Sequence, residues 1–455
     1  MKKRMCKIMA LAMTAAMVVP MAAQTTAFAA DDKEITYWNI AVESPDKDIV
    51  TAAVDKFNKE TESGYTVNSV AIQNDTYKEK LVIAMSSGEC PDMYSSWSGG
   101  PMYEYIDSGF AQPIDDLLDQ SDIKDKLLDA AIEQGSYKGH VYAIPYMNVV
   151  LAGIFYNKDM FKQYGLEEPK TLADLENICA TLKENGITPF ALANGSKWTG
   201  SMYFMSLAAR YGGLEPFQNA VAGTGKFTDD CFIKAGEKIQ EWVKNGYFPD
   251  GVNSLSEDDG QAKQLMYQET AGMMLGGSFY TGTFQTDSEE FYQKIGWFPF
   301  PAIDDSDADP TIQIGTVGDQ FISFNCEGDK LAAAFECAAD HLSDEVEDMI
   351  YSTGKIAPVK DAGDHISDPV VKEIFDAAQE ASSIQLWYDQ YLPTSVASAH
   401  LDGLQEVFGL TKTPQEAQEE MQTAMDEYLS TKSDSGAADD TAEEATDDAA
   451  ADDAE

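Results

Sequence analysis

Strand-like and helix-like segments alternate along residues 31–432, and this alternation limits the chain to few architectures. The segment "EITYWNIAV" is rich in β-branched and aromatic residues and predicts a buried strand. The next segment, "ESPDKDIVTAAVDKFNKET", has apolar residues on one helical face, and "YTVNSVAI", "DTYKEKLVIAMSSG" and "PDMYSSW" continue the order. Such alternation is typical of the α/β class, with largely parallel sheets flanked by helices.

Two later helices have clear start signals. Thr171 and Asp174 have capping-box spacing, and Gly186 predicts the end of the same helix. Thr413 and Glu416 have the same spacing around Pro414. A chain of 455 residues also exceeds one ordinary hydrophobic core, so we expect two lobes.

The two ends of the chain differ from the rest. Residues 1–30 have a basic start, an apolar stretch and the small-residue sequence "AFAA", which predicts a secretory signal peptide cleaved near Ala29 or Ala30. Residues 433–455 contain ten acidic residues and no basic or aromatic residue, which predicts a disordered acidic tail. The formal net charge of −47 opposes binding to nucleic acid or to anionic lipid.

The five cysteines after the predicted leader form no C-x-x-C pair, and an odd number does not indicate a disulfide framework or a zinc site. A Cys326–Cys337 bridge is one option, and buried thiols are the other. None of the four histidines has metal-ligand spacing to another, and "DDSDADP" lacks the glycine and glutamate of a calcium loop. We therefore expect no metal and no cofactor.

Motifs for nucleotide binding and nucleophilic catalysis are missing. The sequence has no G-x-x-x-x-G-K-[ST] phosphate loop and no G-x-G-x-x-G after a strand. The segment "LGGSFYTG" comes close to a nucleophile elbow, but Tyr280 stands where the second glycine is needed. Neither kind of chemistry is therefore predicted, and we expect no enzyme.

Several aromatic residues lie in polar, glycine-rich segments rather than in apolar runs. Trp97 lies in "SSWSGG", Trp198 in "NGSKWTG", Phe279 after "GGS" and Trp387 in "QLWYDQYLP". Sugar rings pack their C–H faces on aromatic rings, and their hydroxyls bond to carboxylates. Ligands of open α/β sheets bind at the carboxyl ends of strands, where Glu43, Trp97 and Phe279 are expected. This mixture indicates a carbohydrate ligand.

The chain resembles the extracellular solute-binding proteins of ABC-type sugar importers, in the maltose- and oligosaccharide-binding group. The resemblance covers about residues 34–430 and is carried by the order and spacing of "ITYWNI", "YKEKLVIAMSSGECPDMYSSWSGG", "YNKDMF…PKTLADL…GITPF", "TAGMMLGGSFY", "GWFPFPA", "GKIAPVK" and "WYDQYLP".

This resemblance implies two α/β lobes, each a mostly parallel sheet flanked by helices, that close on a ligand by hinge motion. It implies crossings between lobes near Tyr146, Pro299 and Pro358. The predicted division is residues 31–146 and 300–357 in one lobe, with residues 147–299 and 358–432 in the other. The implied partners are a carbohydrate and the permease subunits of an ABC transporter, and we expect a monomer.

The resemblance also implies the residues of the ligand cleft. They are Glu43, Trp97, Trp198, Gly277, Ser278, Phe279, Trp387 and Asp389, with Asn148 and Asp319 as further candidates. Simpler roles stay open for some of them. Glu43 could favour a helix N-terminus, the three tryptophans could be partly exposed packing residues, and Asp389 could cap a turn.

Other functions stay open at this point. One is a secreted glycoside hydrolase that uses paired carboxylates. Others are a surface adhesin and a receptor for a non-sugar solute such as a glycerophosphodiester. Members of the family from Gram-positive bacteria usually have a lipidated cysteine directly after the leader, but here Cys6 precedes the apolar stretch and the next cysteine is Cys90. We therefore expect an extracytoplasmic protein without that lipid anchor.

Overall fold

The structure is a computed structural model that describes residues 33–449, with side chains described as far as residue 432. The predicted signal peptide, residues 1–30, and residues 450–455 of the predicted tail lie outside the described residues. In the described part of the chain the strands are β1 (Glu34–Asn39), β2 (Thr66–Ala71), β3 (Met93–Ser96), β4 (Ser136–Tyr137), β5 (His140–Val141), β6 (Ala143–Pro145), β7 (Val150–Asn157), β8 (Thr188–Phe190), β9 (Ala271–Gly277), β10 (Ile295–Pro299), β11 (Gln313–Thr316), β12 (Phe321–Phe324) and β13 (Ile384–Gln385).

The helices of the same part are α1 (Asp46–Glu60), α2 (Asn74–Ser87), α3 (Gly100–Asp107), α4 (Asp115–Asp119), α5 (Ile123–Lys126), α6 (Asp129–Gln134), α7 (Lys158–Tyr164), α8 (Leu172–Glu184), α9 (Trp198–Gly212), α10 (Glu215–Val221), α11 (Asp230–Lys244), α12 (Gln261–Tyr267), α13 (Tyr280–Asp287), α14 (Glu289–Tyr292), α15 (Gly328–Asp340), α16 (Asp344–Ser352), α17 (Pro369–Glu380), α18 (Tyr388–Tyr391), α19 (Thr394–Phe408) and α20 (Pro414–Ala449).

Two sheets form the centres of two lobes. The sheet of the first lobe has the strand order β2-β1-β3-β12-β6, and that of the second lobe has the order β13-β11-β7-β9-β8 with β10 paired to β7. In the first lobe, α1 packs against α15 and α16. In the second lobe, α9, α11, α19 and α20 pack on one another.

Each sheet is mostly parallel, as expected, with one strand that runs against all the others. β1 pairs in parallel with β2 and β3, but β12 runs antiparallel to both β3 and β6. In the second sheet β7 is antiparallel to β9, β10 and β11. The chain reaches β7 from the first lobe and β12 from the second lobe. Neither strand is therefore joined to the preceding strand of its own sheet by a β-α-β crossover, which would make the two strands parallel.

The predicted helix starts at Thr171 and Thr413 are confirmed. The Thr171 hydroxyl accepts the Asp174 N–H at 3.2 Å, and the Asp174 carboxylate accepts the Thr171 N–H at 3.1 Å. Thr413 and Glu416 exchange the same two bonds at 3.3 and 2.9 Å. The helix that follows Thr413 runs to Ala449, so the structure has no helix end at residue 433, where the tail was expected to begin. The disordered character of the tail stays a prediction.

The chain passes between the sheets three times. The first passage lies between β6 and β7, at the expected Tyr146. The second passage was expected near Pro299 but lies between β11 and β12, because β11 still pairs with β7. Arg210 explains why this passage comes later in the chain than expected. Its buried guanidinium donates to the carbonyls of Phe300 and Ile312 and holds the intervening segment on the second lobe.

The third passage follows α16, and α17 packs on β10 of the second sheet. Within it the Val149 N–H donates to the Ile356 carbonyl at 2.7 Å, and the Leu128 N–H to the Pro358 carbonyl at 2.9 Å. The expected crossing at Pro358 falls in this segment. Apart from the second boundary, the division of the chain into lobes stays a prediction.

The cysteines of the described residues are free thiols, so the Cys326–Cys337 bridge that the sequence left open is not formed. Cys337 lies in α15 and is fully buried among apolar side chains. Between residues 33 and 449, no helix combines the length and apolar character that crossing a membrane requires.

Candidate functional site

A deep cleft lies between the two lobes and has two connected compartments. The inner compartment has a volume of about 190 Å³ and is lined by Trp97 from the first lobe and by Trp198, Phe279 and Trp387 from the second. The outer compartment has a volume of about 710 Å³. Trp198 and Phe279 line both compartments, so the two form one continuous space.

Short loops and helix starts bring the aromatic rings to this cleft. Trp97 follows β3, and its ring makes an edge contact with Tyr77 at a centroid distance of 6.0 Å. Trp198 is the first residue of α9, and Phe279 lies in the turn between β9 and α13. Their centroids lie 6.2 Å apart with an interplanar angle of 64°. These half-buried rings offer apolar faces to a ligand between the lobes.

Trp387 is the fourth predicted aromatic residue, and it is only 3% exposed. It directly precedes α18, which presents Asp389 to the inner compartment. The structure therefore brings Trp97, Trp198, Phe279, Trp387 and Asp389 together, as the sequence predicted for them. Their contact with a ligand stays a prediction.

Asp319 lies at the base of the inner compartment, in the second passage between lobes. Its N–H donates to the Asn148 carbonyl at 2.9 Å, which fixes its position. Burial raises the pKa of the Asp319 carboxyl to about 7. The negative charge of Asp46 also raises this pKa, whereas the positive charge of Lys355 lowers it. Asp319 can therefore be either a donor or an acceptor of hydrogen bonds near neutral pH.

Lys78 lines the inner compartment, and Lys355 is buried behind Asp46, one of its lining carboxylates. Lys78, on α2, lies 3.5 Å from the Asp389 carboxylate and 4.9 Å from the centre of the Trp97 ring. Lys355 forms an ion pair with Asp46, at the start of α1. Each of these two lysines is thus paired with a carboxylate of the same compartment.

The outer compartment is more polar. Glu43 lies at its rim with a side chain that is 70% exposed, 3.8 Å from Lys263. Glu257 and Asp258 lie deeper along its wall. Burial raises the pKa of Glu257 to about 7, while the Tyr280 hydroxyl and Lys263 lower it.

Three predicted residues do not line either compartment. Ser278 is 3% exposed, accepts the Leu151 N–H at 3.3 Å and donates to the Val149 carbonyl at 3.4 Å, so its hydroxyl faces the sheet. Asn148 accepts the Ile356 N–H at 2.8 Å and is 1% exposed. Asn148 links the first passage between the lobes to the third, while Ser278 links the end of β9 to β7 and its approach, and neither side chain reaches the cleft lining that was expected for it.

Gly277 also lies behind the cleft rather than in it. A Cβ atom at this position would lie 2.3 Å from Cε1 of Phe279. The glycine therefore allows the Phe279 ring to fold back over the end of β9. Its contribution to the site is to position Phe279.

Sequence reasoning missed several polar residues of the cleft, among them Asp46, Asn74, Lys78, Asp258 and Gln320. Asp46, Asn74 and Lys78 lie in the first turns of α1 and α2, the helices that follow β1 and β2. Their position after parallel strands was the signal that could have found them. Asp258 lies in the acidic segment "SEDDG", which has no comparable signal.

The two lobes touch across the cleft. The Asp75 N–H donates to the Asp258 carboxylate at 3.2 Å. On the other side a Cβ on Gly99 would lie 2.2 Å from the Gln390 carbonyl oxygen, so two backbone segments from different lobes pack without a side chain between them. With the Lys78–Asp389 pair, these contacts describe a closed arrangement of the lobes.

Comparison with known proteins identifies the family of this fold. A family model described as bacterial extracellular solute-binding protein matches residues 41–339. An uncharacterized ABC transporter extracellular-binding protein of Pyrococcus horikoshii is 31% identical over 228 residues, which are 50% of this chain and 50% of that protein. The chain spans about half the length of the curated relatives it matches.

Solved structures match over nearly the whole described chain. A structure reported with work on xylan utilization by the thermophilic bacterium Caldanaerobius polysaccharolyticus is 29% identical, with a TM-score of 0.78 over 86% of this chain and 99% of that chain. A chitin oligosaccharide binding protein has a TM-score of 0.79 at 23% identity, over 87% of this chain and 98% of that chain, and this likeness concerns the fold. The two-lobed α/β fold expected from the sequence is confirmed.

Proposed function

The chain belongs to the family of bacterial extracellular solute-binding proteins, and from this premise we propose that it binds an oligosaccharide between its lobes and delivers it to the permease subunits of an ABC transporter. The single observation that carries the proposal is the meeting of aromatic rings and carboxyl groups from both lobes in one compartment. Trp97 faces the compartment from one side, Trp198 and Phe279 from the other, and Asp319 lies at its base.

This arrangement suits a carbohydrate more than other solutes. The rings supply apolar faces for the C–H groups of a sugar ring, while the carboxylates accept hydrogen bonds from its hydroxyls. Groups from both lobes contribute, so a ligand gains its full set of contacts only when the lobes are closed. Ligand binding then favours closure, which is the signal that a permease can read.

The size of the cleft favours more than one sugar ring. Pockets for ligands of drug size have volumes of roughly 300–1,000 Å³. The inner compartment alone, at about 190 Å³, lies below this range, but the outer compartment adds about 710 Å³ past Trp198 and Phe279, so the cleft as a whole falls within it. The structural likenesses to a chitin oligosaccharide binding protein and to a structure reported with work on xylan utilization support the same proposal.

We propose no catalytic step. The family consists of solute-binding proteins and one structural neighbour is a chitin oligosaccharide binding protein, so we assign to the cleft carboxyls the role of hydrogen-bond partners of the sugar. The location proposed for the protein is outside the cytoplasm after removal of residues 1–30, as a monomer and without a lipidated cysteine after the leader.

Calorimetry on the purified protein tests this proposal. The panel consists of mono- to tetrasaccharides of glucose, xylose, galactose and N-acetylglucosamine. We expect one-to-one binding of at least one sugar, together with a rise in melting temperature. Chromatography of the same sugar after prolonged incubation should recover it unchanged. Release of shorter sugars would instead support the hydrolase, and a panel without any binding would overturn the proposal.

A further inference from the structure

We propose that the cleft selects uncharged sugars and rejects sugars that carry carboxylate or phosphate groups. This inference rests on the proposed function and names the class of carbohydrate that the same site accepts. It follows from three independent features of the charged groups. In the described chain the arginine is buried away from the cleft, the lysines of the cleft are paired with carboxylates, and further cleft carboxyls have no lysine or arginine partner.

The described chain has no arginine available to the cleft. Arg4 and Arg210 are the arginines of the sequence, and Arg4 lies outside the described residues. The Arg210 side chain is buried and uses its donors on the Phe300 carbonyl, at 2.8 and 3.2 Å, and on the Ile312 carbonyl, at 2.7 Å. The two-pronged arginine contact that suits carboxylates and phosphates is therefore not available to a ligand.

The lysines in or directly behind the cleft lining already have carboxylate partners. Lys78, which lines the inner compartment, is paired with Asp389 at 3.5 Å, and Lys355, which is buried behind the lining, is paired with Asp46. In the outer compartment Lys263 lies 3.1 Å from Asp287. An anionic ligand would have to displace a resident carboxylate to use any of these ammonium groups, and the displaced carboxylate would remain beside the ligand.

Further carboxyls face the same space. Asp258, Asp319 and Glu257 line the two compartments, and within residues 33–432 no lysine or arginine lies within 4 Å of their carboxyl oxygens. Charges of one sign in a cleft with low-dielectric walls concentrate the potential there. A neutral sugar uses these oxygens as acceptors, whereas a uronate or a phosphate is repelled by them.

Matched pairs of sugars test the inference. The probes are maltotriose, cellotriose and α-1,4-galactotriose, each compared with the triuronate of the same linkage, by calorimetry at pH 8 and 50 mM NaCl. This pH lies above the pKa of about 7 of both Asp319 and Glu257. For the best neutral sugar we expect the triuronate to bind at least about tenfold more weakly, because like charges placed side by side oppose binding. Raising the NaCl concentration to 500 mM should reduce the ratio of the two dissociation constants, because salt screens the repulsion between the carboxylates of the cleft and those of the ligand.

The outcomes separate this inference from the function on which it rests. A triuronate that binds as tightly as its neutral partner overturns the inference and leaves the sugar-binding function standing. If none of the six sugars binds, both are overturned for these linkages.

A charge variant tests the cause. Asp389→Asn removes the partner of Lys78, and we expect the ratio of uronate to neutral dissociation constants to fall by at least about threefold. Asp402→Asn is the matched control, because it removes the carboxylate paired with Lys197 at 2.6 Å, outside the cleft lining. An unchanged ratio in Asp389→Asn, or an equal fall in the control, would overturn the electrostatic explanation.

Discussion

Thr394, at the start of α19 in the second lobe, donates its N–H and its hydroxyl to the two carboxylate oxygens of Glu104 on α3 in the first lobe. The two distances are 3.0 and 2.5 Å. The contact lies next to the close backbone approach of Gly99 to Gln390 and outside the lining of the cleft. Glu104 therefore stabilises the closed arrangement without touching a ligand.

Glu104→Ala should weaken ligand affinity from a distance. Removing bonds that form only when the lobes are closed shifts the population toward the open arrangement. Because the contact is exposed, we expect a loss of about threefold to tenfold rather than the larger effect of a buried charged bond. Calorimetry measures the affinity, and small-angle scattering measures the radius of gyration with and without ligand. Asp107→Ala is the control, since Asp107 lies on the same helix but pairs with Lys138 inside the first lobe. Equal affinities for the two variants would contradict the prediction.

Phe279→Ala should weaken sugar binding while the protein stays folded. Loss of a central aromatic contact costs about 2 kcal/mol, or roughly thirtyfold in affinity. The ring is half-buried, so its removal leaves less of a cavity than removal of a core ring. Tyr137→Ala, which removes a half-buried ring from the β4–β5 hairpin, is the control and should leave the affinity unchanged. Unchanged affinity in Phe279→Ala would assign the ring to packing alone.

Gly277→Ala should also weaken sugar binding, but less than Phe279→Ala does. Its new methyl group would lie 2.3 Å from the present position of the Phe279 ring, so the ring must move. We expect a reduced affinity for sugar, with a smaller change in Gly277→Ala/Phe279→Ala than the sum of the two single changes, because both act on one ring. Additive losses in this double-mutant cycle, measured by calorimetry, would mean that Gly277 acts by another route.

The sequence was sufficient to predict the fold class because its signals are local, whereas the two lobes were expected from the chain length and the family resemblance. Strand and helix periodicity predicted the α/β class, and the pairs beginning at Thr171 and Thr413 located two helix starts. Aromatic residues in glycine-rich loops predicted three half-buried rings of the cleft lining, Trp97, Trp198 and Phe279, whereas Trp387 lines the cleft from within the core of the second lobe. These signals depend on neighbours within a few residues.

The residues that were misassigned depend on distant parts of the chain. Ser278 looks like an exposed serine after two glycines, but β7 and its approach supply the partners of its hydroxyl at Leu151 and Val149. Lys78 looks like an ordinary surface lysine of α2, and only Asp389, more than three hundred residues later, brings it into the cleft. The delayed second crossing depends likewise on Arg210, which binds carbonyls about one hundred residues away.

Arg210→Met should destabilise the protein without changing the cleft. The substitution leaves the carbonyls of Phe300 and Ile312 without their charged donor in a buried environment, and we expect a loss of about 2–4 kcal/mol in the free energy of unfolding. Urea unfolding measures it. Arg210→Lys keeps the charge but not the planar fork, and should recover only part of the loss. Wild-type stability in Arg210→Met would contradict the role given to this side chain in holding residues 300–312.

Asp319 makes the stability of the ligand-free protein depend on pH. Burial raises the pKa of its carboxyl from 3.8 to about 7. Between these values the folded protein keeps a proton that the unfolded chain has released, so the contribution of Asp319 to the free energy of unfolding falls as pH rises through this interval and levels off above pH 7. Asp319→Asn removes this dependence. The decrease in melting temperature from pH 5 to pH 8 should therefore be smaller in Asp319→Asn than in the wild type. The control is Asp48→Asn, at an exposed position of α1, which should show the same decrease in melting temperature as the wild type. If Asp319→Asn also shows the full wild-type decrease, the Asp319 carboxyl of the folded protein is already ionised at pH 5.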